Sequence, residues 1–197
     1  CSFNDISEDA LFSLTFLEEN VIDTELILED GTPALDYHDD ILPSEMRRRD
    51  LKEIYEKIFG GWDIAITTDG SILVLFGLKD DKMTEIFAHK FPKGMDLTDQ
   101  ISAVSKICQY FCVDKLAYDA TAGLGLAVGD HLKRTICRGI FKPLSFTQTL
   151  KSKEFSSLKL AMAKDKVSLA NNVEMITEFC NLGLHPNGRI AAIGRKN

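Results

Sequence analysis

The sequence predicts an α/β domain: a mixed sheet in which an antiparallel three-strand meander is continued by parallel strands and flanked by helices. Two observations predict it. Three β-rich runs between Trp62 and Phe91 are joined by the short turns Asp69-Gly70 and Asp80-Asp81-Lys82, as in a meander. After Asp99, helical and extended patterns alternate, which is the rhythm of parallel crossovers.

Each element has a local reason. Residues 62–67, 71–77 and 84–91 are the meander strands, rich in β-branched and aromatic residues. Residues 99–112 place Ile101, Val104, Ile107, Cys108 and Phe111 at helical spacing. A short strand over 115–118 precedes a helix over 125–135 and a strand over 139–146. The helix expected over 155–164 gathers Phe155, Leu158, Ala161 and Met162 on one face. Residues 167–170 read as extended and 173–182 as helical, and 184–193 as a hairpin around Pro186-Asn187-Gly188.

Residues 1–59 read differently. Pro33 and Pro43 punctuate an acidic stretch, and Ser44 caps an expected helix that runs to Lys57 and ends at Gly60-Gly61. The expected organisation is an acidic linker or docking segment, 1–59, leading into a domain over 60–197. The start at Cys1 suggests a fragment of a longer protein.

Composition narrows the class. The chain has 197 residues, 45% hydrophobic and 27% charged, so it can bury an ordinary core. No apolar run approaches the length of a membrane span and no signal peptide is visible, so no membrane partner is expected. The five cysteines, an odd number at irregular spacing, fit reduced and buried thiols. The net charge of −7 conceals an asymmetry. Residues 1–59 hold 16 acidic and 5 basic side chains, whereas 133–197 hold 4 acidic and 12 basic. A local positive field of this kind binds polyanions whatever the total charge.

Two aspartates stand at the ends of strand-like runs: Asp63 in Trp62-Asp63-Ile64-Ala65, and Asp119 in Tyr118-Asp119-Ala120-Thr121-Ala122-Gly123-Leu124-Gly125. Taken singly, Asp119 is explained as a turn and helix cap, and Asp63 as a surface residue of an edge strand. Brought together, two carboxylates repel unless a divalent cation neutralises them, which makes the pair a candidate metal site. The triplet His38-Asp39-Asp40 precedes the first strand and reads as a solvated loop.

The element order is similar to that of a ribonuclease H-like domain, which places one acid on its first strand and another at the end of the strand after its first helix. Asp119 with its glycine-rich turn and Val128-Gly129-Asp130-His131-Leu132, the segment Trp62-Asp63-Ile64-Ala65 with Asp69-Gly70-Ser71, and the late stretch from Leu184 to Gly194 together resemble the nuclease domain of viral large terminase subunits.

That resemblance implies a metal-dependent endonuclease that cuts concatemeric double-stranded DNA during packaging, in the cytoplasm of an infected or lysogenic host. It implies two Mg²⁺ or Mn²⁺ ions about 4 Å apart, with Asp63 bridging both and Asp119 holding one. Asp69, Asp165 and His185 would be auxiliary ligands. Gly123 and Gly125 would let backbone approach a phosphate. Lys151, Lys153, Lys159, Lys164, Lys166, Arg189, Arg195 and Lys196 would contact DNA phosphates. An ATPase domain, a small terminase subunit and a portal would be partners. No Gly-x-x-x-x-Gly-Lys-Ser/Thr loop occurs here, so the ATPase half is not expected in this chain. A third acid, expected shortly after the late hairpin, is not seen before Asn197. Two alternatives stand beside this reading: a resolvase-type nuclease of the same fold, and a catalytically silent binding or assembly module.

Overall fold

In chain order the elements are α1 (Leu14–Asn20), β1 (Val21–Ile22), β2 (Lys57–Asp63), β3 (Ile72–Lys79), β4 (Lys82–Lys90), α2 (Leu97–Tyr110), β5 (Lys115–Asp119), α3 (Leu124–Leu132), β6 (Phe141–Leu144), α4 (Gln148–Ala163), β7 (Val167–Ala170), α5 (Val173–Cys180), β8 (Leu182–Leu184) and β9 (Ile190–Ala192). The computed structural model describes residues 10–22, 53–65, 70–120, 124–132, 139–184 and 189–192. No helix among them is long and apolar enough to cross a membrane. The chain divides into two units, Glu25–Phe146 and the pair Cys1–Thr24 with Thr147–Asn197.

In the unit Glu25–Phe146, β3 alternates half-buried and buried residues and pairs antiparallel with both β2 and β4. A parallel strand, β5, joins the other edge of β2, and β6 pairs parallel with β5. The strand order is therefore β4-β3-β2-β5-β6, the expected meander continued by parallel strands. One sheet face carries Ile58, Trp62, Leu73, Leu75, Leu116 and Tyr118 into a core shared with Ile101, Val104, Ile107 and Cys108 of α2, with Phe111 at its C-terminal cap, and with Val128 and Leu132 of α3.

Local chemistry fixes α2. The Asp96 carboxylate accepts from the Thr98 N–H at 2.7 Å, and the apolar positions fall on the sheet-facing side. Cys112, with φ of 52°, ends the segment in the left-handed region. Cys108 and Cys180 are buried free thiols, and Cys112 is half-buried.

The unit formed by Cys1–Thr24 with Thr147–Asn197 is held by an aromatic cluster. Phe12 is fully buried, with its ring centroid 5.1 Å from that of Phe179 and 6.4 Å from that of Phe155. Val21 and Ile22 of β1 pair parallel with Leu169 and Ala170 of β7, and the Leu11 N–H donates to the Leu182 carbonyl at 2.8 Å. β8 and β9 form the expected late hairpin.

Three expectations are corrected. A boundary at residue 59 does not isolate the first segment, because residues 10–22 are built into the same unit as 147–197. The helix expected to end at Gly60-Gly61 gives way to β2, which starts at Lys57 and contains both glycines; residues 44–52 lie outside the described set. Gly60 faces the core, where a Cβ would come within 2.6 Å of Leu75 Cδ2, so the sheet there requires glycine rather than a helix stop. Finally, α4 begins at Gln148, seven residues earlier than expected, because the Thr147 hydroxyl accepts from the Leu150 N–H at 3.2 Å and starts the helix ahead of its apolar stripe.

Two outcomes are expected. The Tyr55 ring lies where a side chain at Gly77 would stand, 2.4 Å from the position of a Cβ. Gly77→Val should lower stability by about 1–3 kcal/mol in chemical denaturation. The Thr98 N–H holds the Asp96 carboxyl below its ordinary range. That stabilisation is complete above the unfolded aspartate value of about 3.9 and is lost as pH falls through the lower folded value. Asp96→Asn should therefore melt below wild type at neutral pH, and the gap should close in acid.

Candidate metal centre

The parallel pairing of β2 with β5 runs Phe59↔Lys115, Gly60↔Leu116, Gly61↔Ala117 and Trp62↔Tyr118. One residue beyond the last of these pairs stand Asp63 and Asp119, each the final residue of its strand. Neighbouring strands lie about 4.8 Å apart, so the two acids are immediate neighbours at the carboxyl ends of adjacent parallel strands. In α/β sheets, ligands bind at this end, where the strand order turns.

Alternation decides which way they face. Trp62 and Tyr118 are buried in the core, so the residues after them point to the opposite side of the sheet. There Asp63 is exposed and Asp119 half-buried. On the same face behind them lie Gly61 and Ala117, with Ile72 paired beside Asp63, Val74 beside Gly61 and Lys142 beside Ala117, and a Cβ on Gly61 would meet nothing within 4 Å. Carboxylate oxygens are the donors that hard divalent cations prefer, and these two residues could supply part of such a donor set. Among the described residues, no group of three His, Cys, Asp or Glu side chains is placed to hold a metal.

The remaining expected site residues are scattered. Asp69, Gly123, His185, Arg195 and Lys196 lie outside the described residues. Gly125 falls in the first turn of α3. Asp165 is exposed, with φ of 54°, in the turn between α4 and β7, in the unit that does not contain Asp63 and Asp119. The lysines of α4 do not form one stripe. Successive helix residues turn by about 100°, so exposed Lys153 and Lys164 share one side, and half-buried Lys151 and Lys159 lie toward another. Lys159 has a structural role: its ammonium donates to the Leu11 carbonyl at 2.6 Å and lies 5.8 Å from the Phe16 ring centroid. Lys166 and Arg189 are exposed.

Sequence reasoning passed over two lysines. Lys142 pairs with Ala117, and Lys115 lies four residues before Asp119, so both share the acid-bearing face and both are exposed. The signal was the alternation in Lys-Leu-Ala-Tyr-Asp, which sets Lys115 and Asp119 on one side. Placing Lys142 required the β5–β6 register.

Comparison with known structures decides the fold. The large terminase nuclease from thermophilic phage G20c aligns with a TM-score of 0.67 at 20% identity, over 95% of this chain and 91% of that one. The fold is that of a large terminase nuclease. The corresponding domain of Thermus phage P74-26 aligns with a TM-score of 0.62 at 18% identity, covering 93% and 87% of the two chains. A longer large terminase, from a further thermophilic bacteriophage, aligns at 0.54 and 14% identity, over 72% of this chain and 36% of that one. Structures of the G20c nuclease contain bound magnesium and bound cobalt. No family model and no curated protein matches the sequence.

In this chain the two acids close neighbouring parallel strands, each as the last residue of its strand.

Proposed function

We propose that this chain is the metal-dependent endonuclease domain of a viral or prophage DNA-packaging terminase, cutting concatemeric double-stranded DNA by phosphodiester hydrolysis. The observation that carries the reading is the juxtaposition of Asp63 and Asp119 at the carboxyl ends of β2 and β5, within a fold shared with terminase nucleases. Asp63 and Asp119 would be the residues that hold the divalent ions, Mg²⁺ or Mn²⁺. When bound, such ions make water nucleophilic and stabilise the leaving oxygen.

The chain's own residues supply placement. The carboxylates concentrate negative charge at one point of an open face, which is where cations collect. Lys142, on the same face, offers an ammonium group to a flanking phosphate and would hold the backbone against the acids, while the Lys115 ammonium donates to the Gly139 carbonyl at 3.4 Å. In the other unit, exposed Lys153, Lys164, Lys166 and Arg189 offer further phosphate contacts that read no bases. An ATPase domain on the same polypeptide, a small terminase subunit and a portal would complete the machine. The silent-module alternative draws on one observation, the absence of a three-ligand cluster among the described residues.

Plasmid nicking in Mn²⁺ tests the reading. Nicking is expected, and Asp63→Ala and Asp119→Ala should each reduce it at least a hundredfold. Activity that survives both changes overturns the assignment, and preference for four-way junctions over linear duplex redirects it to a resolvase. In a separate binding assay, Lys142→Ala should weaken duplex binding several-fold at low salt and lower the salt slope by about 1.

A further inference from the structure

In the unit Glu25–Phe146, two polar side chains are almost fully enclosed near the end of β2. Ser71 and Gln100 are each 1% exposed. Ser71 directly precedes β3, and Gln100 lies in the first turns of α2. Their hydrogen bonds converge on Ala65, two residues beyond Asp63. The Ala65 N–H donates to Ser71 Oγ at 2.8 Å, and the Ser71 hydroxyl donates to Gln100 Oε1 at 2.6 Å. Gln100 Nε2 donates to the Met95 carbonyl at 2.9 Å and to the Ala65 carbonyl at 3.2 Å. The two carbonyl acceptors fix which way the amide points, and Gln100 satisfies its oxygen and both of its N–H groups.

This latch takes hold of both backbone groups of Ala65. It is itself anchored, because the Phe91 N–H donates to the Ser71 carbonyl at 2.8 Å. Gly70 passes so close to the Phe91 carbonyl that a Cβ would come within 2.5 Å of it. Three elements therefore set the exit of β2: the start of β3, the end of β4 and the first turns of α2. Enclosed polar groups are costly unless fully paired, and a fully paired network specifies one geometry rather than adding much stability.

We infer that Ser71 and Gln100 are positioning residues for Asp63: by clamping Ala65 they fix the strand exit and thereby hold the Asp63 carboxylate beside Asp119 for cation binding. The inference rests on the metal reading above. Neither side chain touches the cation, so their loss should weaken cation binding through Asp63 without removing a ligand.

Titration calorimetry with Mn²⁺ alone, on the full chain without DNA, tests it, with circular dichroism confirming the fold of each variant. Ser71→Ala and Gln100→Leu should each weaken Mn²⁺ affinity at least fivefold. Ser71→Thr keeps the hydroxyl and should stay within twofold of wild type. Ile107→Val, a core change on α2 away from the latch, should lower the melting temperature and leave affinity unchanged. Should Ser71→Ala not fold, Ser71→Cys, which retains a weak donor of similar size, should give an intermediate loss. Unchanged affinity in the Ser71 and Gln100 variants, alongside loss in Asp63→Ala, overturns the positioning role alone. Affinity that survives Asp63→Ala overturns the metal reading and the positioning role with it.

Discussion

Everything at the candidate site depends on the register between β2 and β5. A slip of one residue would send Asp63 into the core and Trp62 to the surface, since side chains alternate across a strand. Trp62, Leu116 and Tyr118 forbid that slip: each is buried, and together they bury far more apolar surface than the two acids expose. Apolar packing on one face therefore places the charges on the other, where two carboxylates stand together without needing to attract each other.

A similar division of labour holds around α2. Its apolar face, from Ile101 to Phe111, seats the helix on the sheet, but apolar contacts tolerate small sliding. Gln100 adds what they lack. A directional network to Ala65, Ser71 and Met95 selects one position of the helix against the exit of β2. The core gives the fold its stability, and the latch gives one strand end its placement. The Tyr118 side chain spans from β5 to α3, where a Cβ on Gly129 would stand 3.0 Å from its hydroxyl.

Most elements were legible because their periodicity is simple. α2, β5 and β7 fall within two residues of where the pattern puts them, and the aspartates at the ends of β2 and β5 were readable as interruptions of apolar runs. What escaped was non-local. Gly60-Gly61 reads as a helix stop unless one knows that Leu75 and Leu116 crowd Gly60 from neighbouring strands. The aromatic run around Phe12 reads as a short apolar stretch in an acidic segment; only tertiary packing with Phe155 and Phe179 ties it to residues far along the chain. Lys159 looked like one more cation in a basic third, yet its ammonium is committed to Leu11 and the ring of Phe16. Charge patterning cannot separate a structural lysine from a solvated one, because the difference lies in which carbonyl is near.

The form of the acid face bears on the kind of ligand it suits. Small-molecule sites are concave and mostly apolar, and they bury most of the ligand. Here Gly61 and Ala117 lie behind the acids with Val74 and Lys142 paired beside them, Asp63 is exposed, and Leu144 beside Asp119 on β6 is 37% exposed. Among the described residues, charged side chains dominate what this face offers a ligand. Lys115 and Lys142 stand on that face with the carboxylates, which sets cation-seeking and phosphate-seeking groups within a few residues of each other. A phosphodiester backbone matches that pattern, because it presents a repeating anion that lysines can hold and that a carboxylate pair can approach only through a cation. Exposed acid and mixed charge on one face are therefore consistent with the polymeric substrate proposed above.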